Sequence, residues 1–256
     1  MRTREWRLAA AALLLACGGA VAKSDTNMSC DVESDYDFSL SERSVIFTRS
    51  SGSPRQLVVR QGRLFVDDRW VTLSGADRRR VAEYEREARE IVPLAREIGL
   101  EATEIAFIAL GEVAAGFSND PEASRRKLQT ARKRLDTRLG QSISANRYSS
   151  DALGEAIGAA VRDVLPTVMG DIVGGAVRAA FGGDTARLQR MENLDAELEA
   201  LIEPRAEALG RSAEALCMRM RRLDEIDDAL DYRLPDGRPL DLLRVEVEHK
   251  RRRDGA

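Results

Sequence analysis

Histidine is almost absent from this sequence. The single one, His249, lies in a basic segment near the C-terminal end. Histidine is the usual base beside a serine or cysteine nucleophile and a frequent zinc ligand. The core therefore has no base for a nucleophile pair and no histidine metal site. The pair Gly174-Gly175 also lacks the lysine and the preceding strand of a phosphate-binding loop. We expect no cofactor and no metal.

Aromatic residues are scarce, at 5% of 256 residues. Basic residues without interleaved aromatics are a weak pattern for nucleic-acid binding, and we expect no nucleic-acid partner. Acidic residues number 43, so two of them could form the carboxylate pair of a hydrolase. No pair is singled out, because the cluster Asp224, Glu225, Asp227 and Asp228 is typical of the solvated face of a helix. The sequence favours a protein that is not an enzyme, with a carboxylate-based hydrolase of envelope material as an alternative.

Apolar runs are short, and the one at residues 8–17 falls below the ~20 residues that a membrane-spanning helix needs. This run follows an arginine-rich start and precedes small residues that end at Ala22. That order is typical of a secretory signal peptide cleaved after Ala22, with the mature protein in the periplasm. The alternative is a lipoprotein anchored to the membrane through Cys17. Removal of residues 1–22 takes away three arginines and one glutamate and leaves a net charge of −5.

Cleavage after Ala22 leaves only two cysteines, Cys30 and Cys217, and the same two would remain free if Cys17 were acylated. An even pair in an exported chain predicts a disulfide bond, because the periplasm is oxidising. The alternative is two buried free thiols. The bond would join the start of the mature chain to its last long helix.

Short β-branched segments at residues 44–48, 56–60 and 63–66 alternate with turn residues and predict strands. The dipeptide Asp67-Asp68 predicts a tight hairpin to a further strand at residues 69–73. Together these segments predict an antiparallel meander of three or four strands, which needs a helix to cover one face.

Long helices follow the meander. Ser74 with an acid at Asp77 predicts a helix N-cap, and apolar residues then recur at spacings of three and four. Pro93 predicts a kink in this helix or its end nearby. Pro121 predicts the first residue of the next helix. A last long helix is predicted from about residue 185 to residue 231, and Leu243, Val245 and Val247 alternate as in a strand.

The segment 152–183 is rich in glycine, alanine and valine. It contains two pairs of glycines four residues apart, Gly154 with Gly158 and Gly170 with Gly174. Small residues at this spacing let helices approach closely. The segment therefore predicts either close packing inside the helical body or a surface for a protein partner or for self-association.

A basic cluster precedes that segment and could cover one helix with positive charge. We interpret it either as a solvated face paired with neighbouring acids or as an anion-binding face for lipid headgroups or another envelope polyanion, which would give peripheral membrane contact. Its members are Arg125, Arg126, Lys127, Arg132, Lys133, Arg134 and Arg138.

The order of these elements resembles that of the uncharacterised YggN-like family of periplasmic proteins from Gram-negative bacteria. The matching pieces are Cys30, the strand at residues 70–73, the helix opening at Ser74, the glycine-rich residues 168–172, and Cys217. The resemblance covers residue 30 to about residue 230. It implies the compartment and the fold, and it supplies no active site.

The predicted fold is α+β, with a small antiparallel β-meander packed against a bundle of long amphipathic helices. The expected organisation is a signal peptide at 1–22, a β-region at 23–73 that forms one domain with a helical region at 74–232, and an extension at 233–256 ending in a partly disordered basic tail. The expected function is non-enzymatic and acts through an unknown envelope protein or self-association. The main alternative is an accessory protein that binds lipid or an anionic polymer.

Overall fold

The structure is a computed structural model that describes residues 28–118, 120–142, 148–149, 155–164, 166, 169–170, 173–174 and 185–249. It confirms the α+β class. The strands are β1 (Met28–Glu33), β2 (Asp37–Leu40), β3 (Val45–Thr48), β4 (Gln56–Arg60), β5 (Arg63–Val66), β6 (Arg69–Trp70), β7 (Tyr148–Ser149) and β8 (Arg244–His249). The long helices are α1 (Gly75–Phe117), α2 (Pro121–Ser142) and α3 (Thr185–Asp228), and residues 155–164 are also helical. The predicted signal peptide, Cys17 and Gly154 lie outside the described residues.

The larger sheet has six strands in the order β6-β5-β4-β3-β2-β7, and every pair is antiparallel. The predicted strands at 44–48, 56–60 and 63–66 are confirmed as β3, β4 and β5. A two-residue turn, Gln61-Gly62, joins β4 to β5, and both of its φ angles are positive, at 51° and 69°. Such turns match the right-handed twist of paired strands. The sheet is larger than predicted because β2 and β7 extend it.

A second, two-stranded sheet joins the two ends of the described chain. Strand β1 pairs antiparallel with β8, and Cys30 lies opposite Val247. The strand predicted around Val245 is thereby confirmed. Residues 233–249, predicted to belong to a C-terminal extension, also supply Leu234, Leu240, Leu242, Leu243 and Val245 to the main hydrophobic core.

Helix α1 begins where the sequence predicts. The Oγ atom of Ser74 accepts the backbone N–H of Asp77 at 3.0 Å, which satisfies one of the free donors of the first turn. The buried face of the helix covers the larger sheet through Val81, Tyr84 and Ala88. The helix does not end near Pro93. Proline removes one intrahelical hydrogen bond, and the neighbouring Val92 remains fully packed in the core, which holds the helix across this position.

Helix α2 begins at Pro121, as predicted. It packs away from the sheets, in two small apolar clusters with the distal half of α1 and helical residues 155–164. One cluster contains Ala114, Leu128, Ala131 and Val164, and the other contains Leu135, Leu139, Ala156 and Ala160. Helix α3 ends at Asp228, three residues before the predicted end. None of the described helices is long and apolar enough to span a lipid bilayer.

Candidate functional site

A disulfide bond between Cys30 and Cys217 joins β1 to α3 across 187 residues of sequence. The Cα atoms lie 6.1 Å apart, within the ordinary range for a disulfide. Cys217 is 4% exposed, whereas Cys30 is an exposed residue of β1. The predicted pairing is confirmed, and the alternative of two free thiols is wrong.

A cavity of about 360 Å³ lies against this disulfide, between the two sheets and helices α1 and α3. Its volume falls within the ~300–1,000 Å³ range of small-molecule sites. Among its lining residues, Cys30, Val32, Ser34 and Ala213 are exposed and mark the side that meets solvent. Its other walls are formed by Tyr36, Phe38, Phe47, Tyr84, Ala88, Ile91, Val92, Ala95, Tyr148, Leu216, Cys217, Met220, Leu223, Leu242 and Leu243.

The described lining of this cavity contains no charged side chain. The Ser34 hydroxyl donates a hydrogen bond of 2.6 Å to the Leu242 carbonyl and is therefore already satisfied. Burial raises the pKa of Tyr84 well above its usual value, and burial also raises the pKa of Tyr148. Both phenols stay protonated and neutral at physiological pH. The cavity thus suits an uncharged apolar group, since a charge placed there would have no counter-charge.

Asp227 lies immediately behind the cavity wall and is 1% exposed. Its Oδ2 atom accepts the backbone N–H of Leu242 at 2.7 Å and that of Leu243 at 3.3 Å. Burial raises the pKa of Asp227 to about 7, against the lowering effect of these two donors, and the charges of Asp241 and Asp228 raise it further. The carboxylate therefore fixes two residues of the cavity wall.

Two buried oxygens near this point, the Tyr84 hydroxyl and the Asp227 Oδ1 atom, have no hydrogen-bond partner among the described residues. The negative charge of Asp227, after burial, is the next largest cause of the raised pKa of Tyr84. The polar base of the cavity wall is therefore under-satisfied. Buried polar groups without a partner each cost about 1–3 kcal/mol.

The interpretation of the acidic cluster as a solvated face is wrong for two of its four members. Asp227 is buried, and Asp224 is partly buried and accepts the backbone N–H of Val245 at 3.1 Å. Burial raises the pKa of Asp224 as well. Asp227 accepts hydrogen bonds from the two residues just before β8, and Asp224 accepts one from β8 itself. Glu225 and Asp228 are exposed, as predicted.

The structure divides the predicted basic face into paired and unpaired members. Arg125 lies 3.0 Å from Glu122, and Arg132 contacts Glu104 and Asp136. Arg134 lies 3.9 Å from Asp163, and Arg138 also has an interaction partner. Arg126, Lys127 and Lys133 have no acidic partner within 4 Å among the described residues. Neighbouring acids therefore neutralise some of the basic residues of this face and leave others without an acidic partner among the described residues.

The predicted glycine surface is described at three of its four positions. A Cβ atom added at Gly158 would meet the Arg162 guanidinium at 3.4 Å. At Gly170 and Gly174 the same atom would meet no heavy atom within 4 Å in the described structure. These two glycines therefore do not mark a close helix contact within the part of the chain that is described.

The described residues contain no group of three or more histidine, cysteine or acidic side chains placed to hold a metal ion. The cavity lining also brings no carboxylates together. The cavity therefore supplies no pair of carboxylates for the predicted alternative of a hydrolase.

A family model for proteins of unknown function, DUF2884, matches residues 30–243. The chain belongs to this family. The matched region begins at Cys30 and ends at Leu243, so it contains both ends of the disulfide, Asp227 and the whole described lining of the cavity. It also extends beyond the predicted limit near residue 230. No curated protein and no solved structure matches the chain significantly.

Proposed function

We propose that this chain is an exported protein of the cell envelope that binds an uncharged apolar molecule, such as a lipid chain, in the disulfide-lined cavity. Export is supported by the signal-peptide pattern of residues 1–22. It is also supported by the bond between Cys30 and Cys217, because disulfides persist in oxidising compartments. The resemblance to the YggN-like periplasmic proteins of Gram-negative bacteria agrees with this compartment.

The observation that carries the binding proposal is the cavity itself. It has about 360 Å³ of space, an apolar and aromatic lining without charge, and an end open to solvent at Val32 and Ala213. Well-packed protein interiors have few voids larger than a water molecule. An apolar pocket of this volume therefore has room for a small ligand that ordinary core packing would not leave.

Binding of a neutral fluorescent probe, N-phenyl-1-naphthylamine, tests the proposal. We expect saturable binding that Ala213→Leu weakens about tenfold, because the larger side chain fills the open end of the cavity. Ala215→Leu is the matched control, since Ala215 is exposed on the same helix and does not line the cavity. Absence of binding, or equal affinity in both variants, would overturn the proposal.

The compartment is tested by the intact mass of the protein purified from its native envelope, with and without reductant. Export with cleavage after Ala22 predicts a chain that starts at Lys23 and gains the mass of two hydrogen atoms on reduction. A chain that starts at an acylated Cys17 would instead place the protein on a membrane. A chain that retains residue 1 would contradict export.

Self-association through the glycine-rich segment is a second candidate function. It is favoured by the exposure of Met169 (51%) and Val173 (57%) beside Gly170 and Gly174, where no heavy atom of the described structure opposes an added Cβ. Light scattering of the wild type and of Gly170→Leu with Gly174→Leu tests it. An oligomer that the double variant loses supports this surface, and an unchanged mass removes it.

A further inference from the structure

A second site lies away from the apolar cavity, between α2 and helical residues 155–164. A groove of about 420 Å³ runs there. Leu128, Ala131 and Val164, all buried, form its apolar floor. Three cations of α2 line it, whereas one acid, Asp163, does so from the opposite helix.

The three cations differ in what holds them. Arg126 and Lys127 are exposed and, within the described part of the chain, have no acidic partner within 4 Å. Arg134 lies 3.9 Å from Asp163, beyond hydrogen-bond distance, so that this pair is weakly joined. The described lining carries three positive charges and one negative charge. An anion entering the groove would meet two free cations and a third held loosely.

The spacing of the cations sets the size of the anion-binding region. Lys127 and Arg134 are seven residues apart, which places them on nearly the same face of α2 and about 10 Å apart along its axis. The floor residues Leu128 and Ala131 lie between them in sequence. The charged positions therefore flank apolar surface, an arrangement that suits an anionic head with an attached hydrocarbon chain.

We propose that this groove binds an anionic amphiphile, with its phosphate-like head on Arg126 and Lys127 and its alkyl chain on the floor around Leu128. Arginine and lysine are the usual partners of phosphate oxygens. The apolar floor distinguishes this site from a generally basic surface, which would hold inorganic phosphate equally well. The other basic residues of α2 do not line the groove.

Calorimetric titration with dodecyl phosphate, below its micelle concentration, tests the proposal. We expect binding that Arg126→Ala with Lys127→Ala weakens by roughly tenfold or more, as loss of hydrogen bonds to a charged group predicts. The matched control is Arg125→Ala with Lys133→Ala, which removes the same charge from the same helix outside the groove. Inorganic phosphate and dodecanol are each expected to bind more weakly than dodecyl phosphate.

An opposite effect is expected at the acid. Asp163→Asn removes the one negative charge of the described lining and should strengthen dodecyl phosphate binding.

Equal weakening by the two double variants would mean that the whole basic face attracts anions, and it would overturn the proposal that the groove is the binding site. Weakening by Ala213→Leu alone would place the ligand in the apolar cavity and also overturn it. Absence of binding would do the same.

Discussion

The Oδ2 atom of Asp227 lies 2.7 Å from the backbone nitrogen of Leu242, and this hydrogen bond joins the last turn of α3 to the segment before β8. Burial raises the pKa of Asp227 from 3.8 to about 7. The folded protein therefore holds this proton more tightly than the unfolded chain does. The resulting stability is present in full below pH 3.8 and is lost as the pH rises to about 7.

The first prediction concerns this pH dependence. The contribution of Asp227 to the free energy of unfolding should fall by on the order of 4 kcal/mol between about pH 4 and pH 7. Asp227→Asn removes the titration and leaves an amide oxygen for Leu242. Urea unfolding should show a flatter pH dependence for this variant, whereas Asp68→Asn, in an exposed turn, should follow the wild type. A wild-type slope retained by Asp227→Asn would contradict the assignment.

The second prediction concerns the disulfide. Replacement of both Cys30 and Cys217 by alanine frees a loop of 187 residues in the unfolded chain. The loop-entropy model gives a loss of about 5 kcal/mol in the free energy of unfolding. Urea midpoints of the wild type with and without reductant, beside those of the double variant, measure this loss. Reductant should leave the double variant unchanged, and three equal midpoints would show that the bond adds no stability.

The third prediction concerns the start of α1. Ser74→Ala removes the side-chain oxygen that accepts the Asp77 N–H, and it should lower the free energy of unfolding by about 1 kcal/mol. Ser74→Gly should lower the free energy of unfolding by only a few tenths of a kcal/mol, because glycine leaves the backbone donors open to water. Thermal unfolding of the two variants separates these cases. An alanine variant as stable as the glycine variant would show that the Ser74 side chain does not stabilise the start of α1.

The fourth prediction concerns the turn between β4 and β5. A Cβ atom at Gly62 would lie 2.9 Å from the Arg78 carbonyl oxygen, at a φ of +69°. Gly237, at a φ of +85°, has no heavy atom within 4 Å of the same position in the described structure. Both changes to alanine incur backbone strain of about 1 kcal/mol or more, and only Gly62→Ala adds a clash between this turn and α1. Gly62→Ala should therefore lower the unfolding temperature further, and the reverse order would contradict this contact.

The sequence predicts features that a few residues determine locally. The N-cap at Ser74 and the helix start at Pro121 depend on side-chain or ring chemistry within one turn. The pairing of Cys30 with Cys217 follows from there being only two cysteines after the predicted signal peptide. None of these predictions requires knowledge of how distant elements pack.

The cavity and its polar support could not be predicted in the same way. Asp227 stands among other acids on an amphipathic helix, and its partners are backbone N–H groups 15 and 16 residues away, which no side-chain pattern reveals. Tyr148 reaches the cavity from β7, a strand of two residues that is too short to show alternation. The space itself arises where several elements fail to fill a core, and that depends on their three-dimensional arrangement.

The pairing of β1 with β8 has a consequence for the order of synthesis. Ribosomes make β1 first, and both of its partners, Cys217 and β8, appear only at the end of the chain. The nascent N-terminal strand therefore cannot form its native strand pair or its native disulfide until nearly the whole protein has been made. A truncated product that stops before Cys217 lacks both partners, so quality-control proteases would meet an exposed strand and an unpaired Cys30 in such a chain.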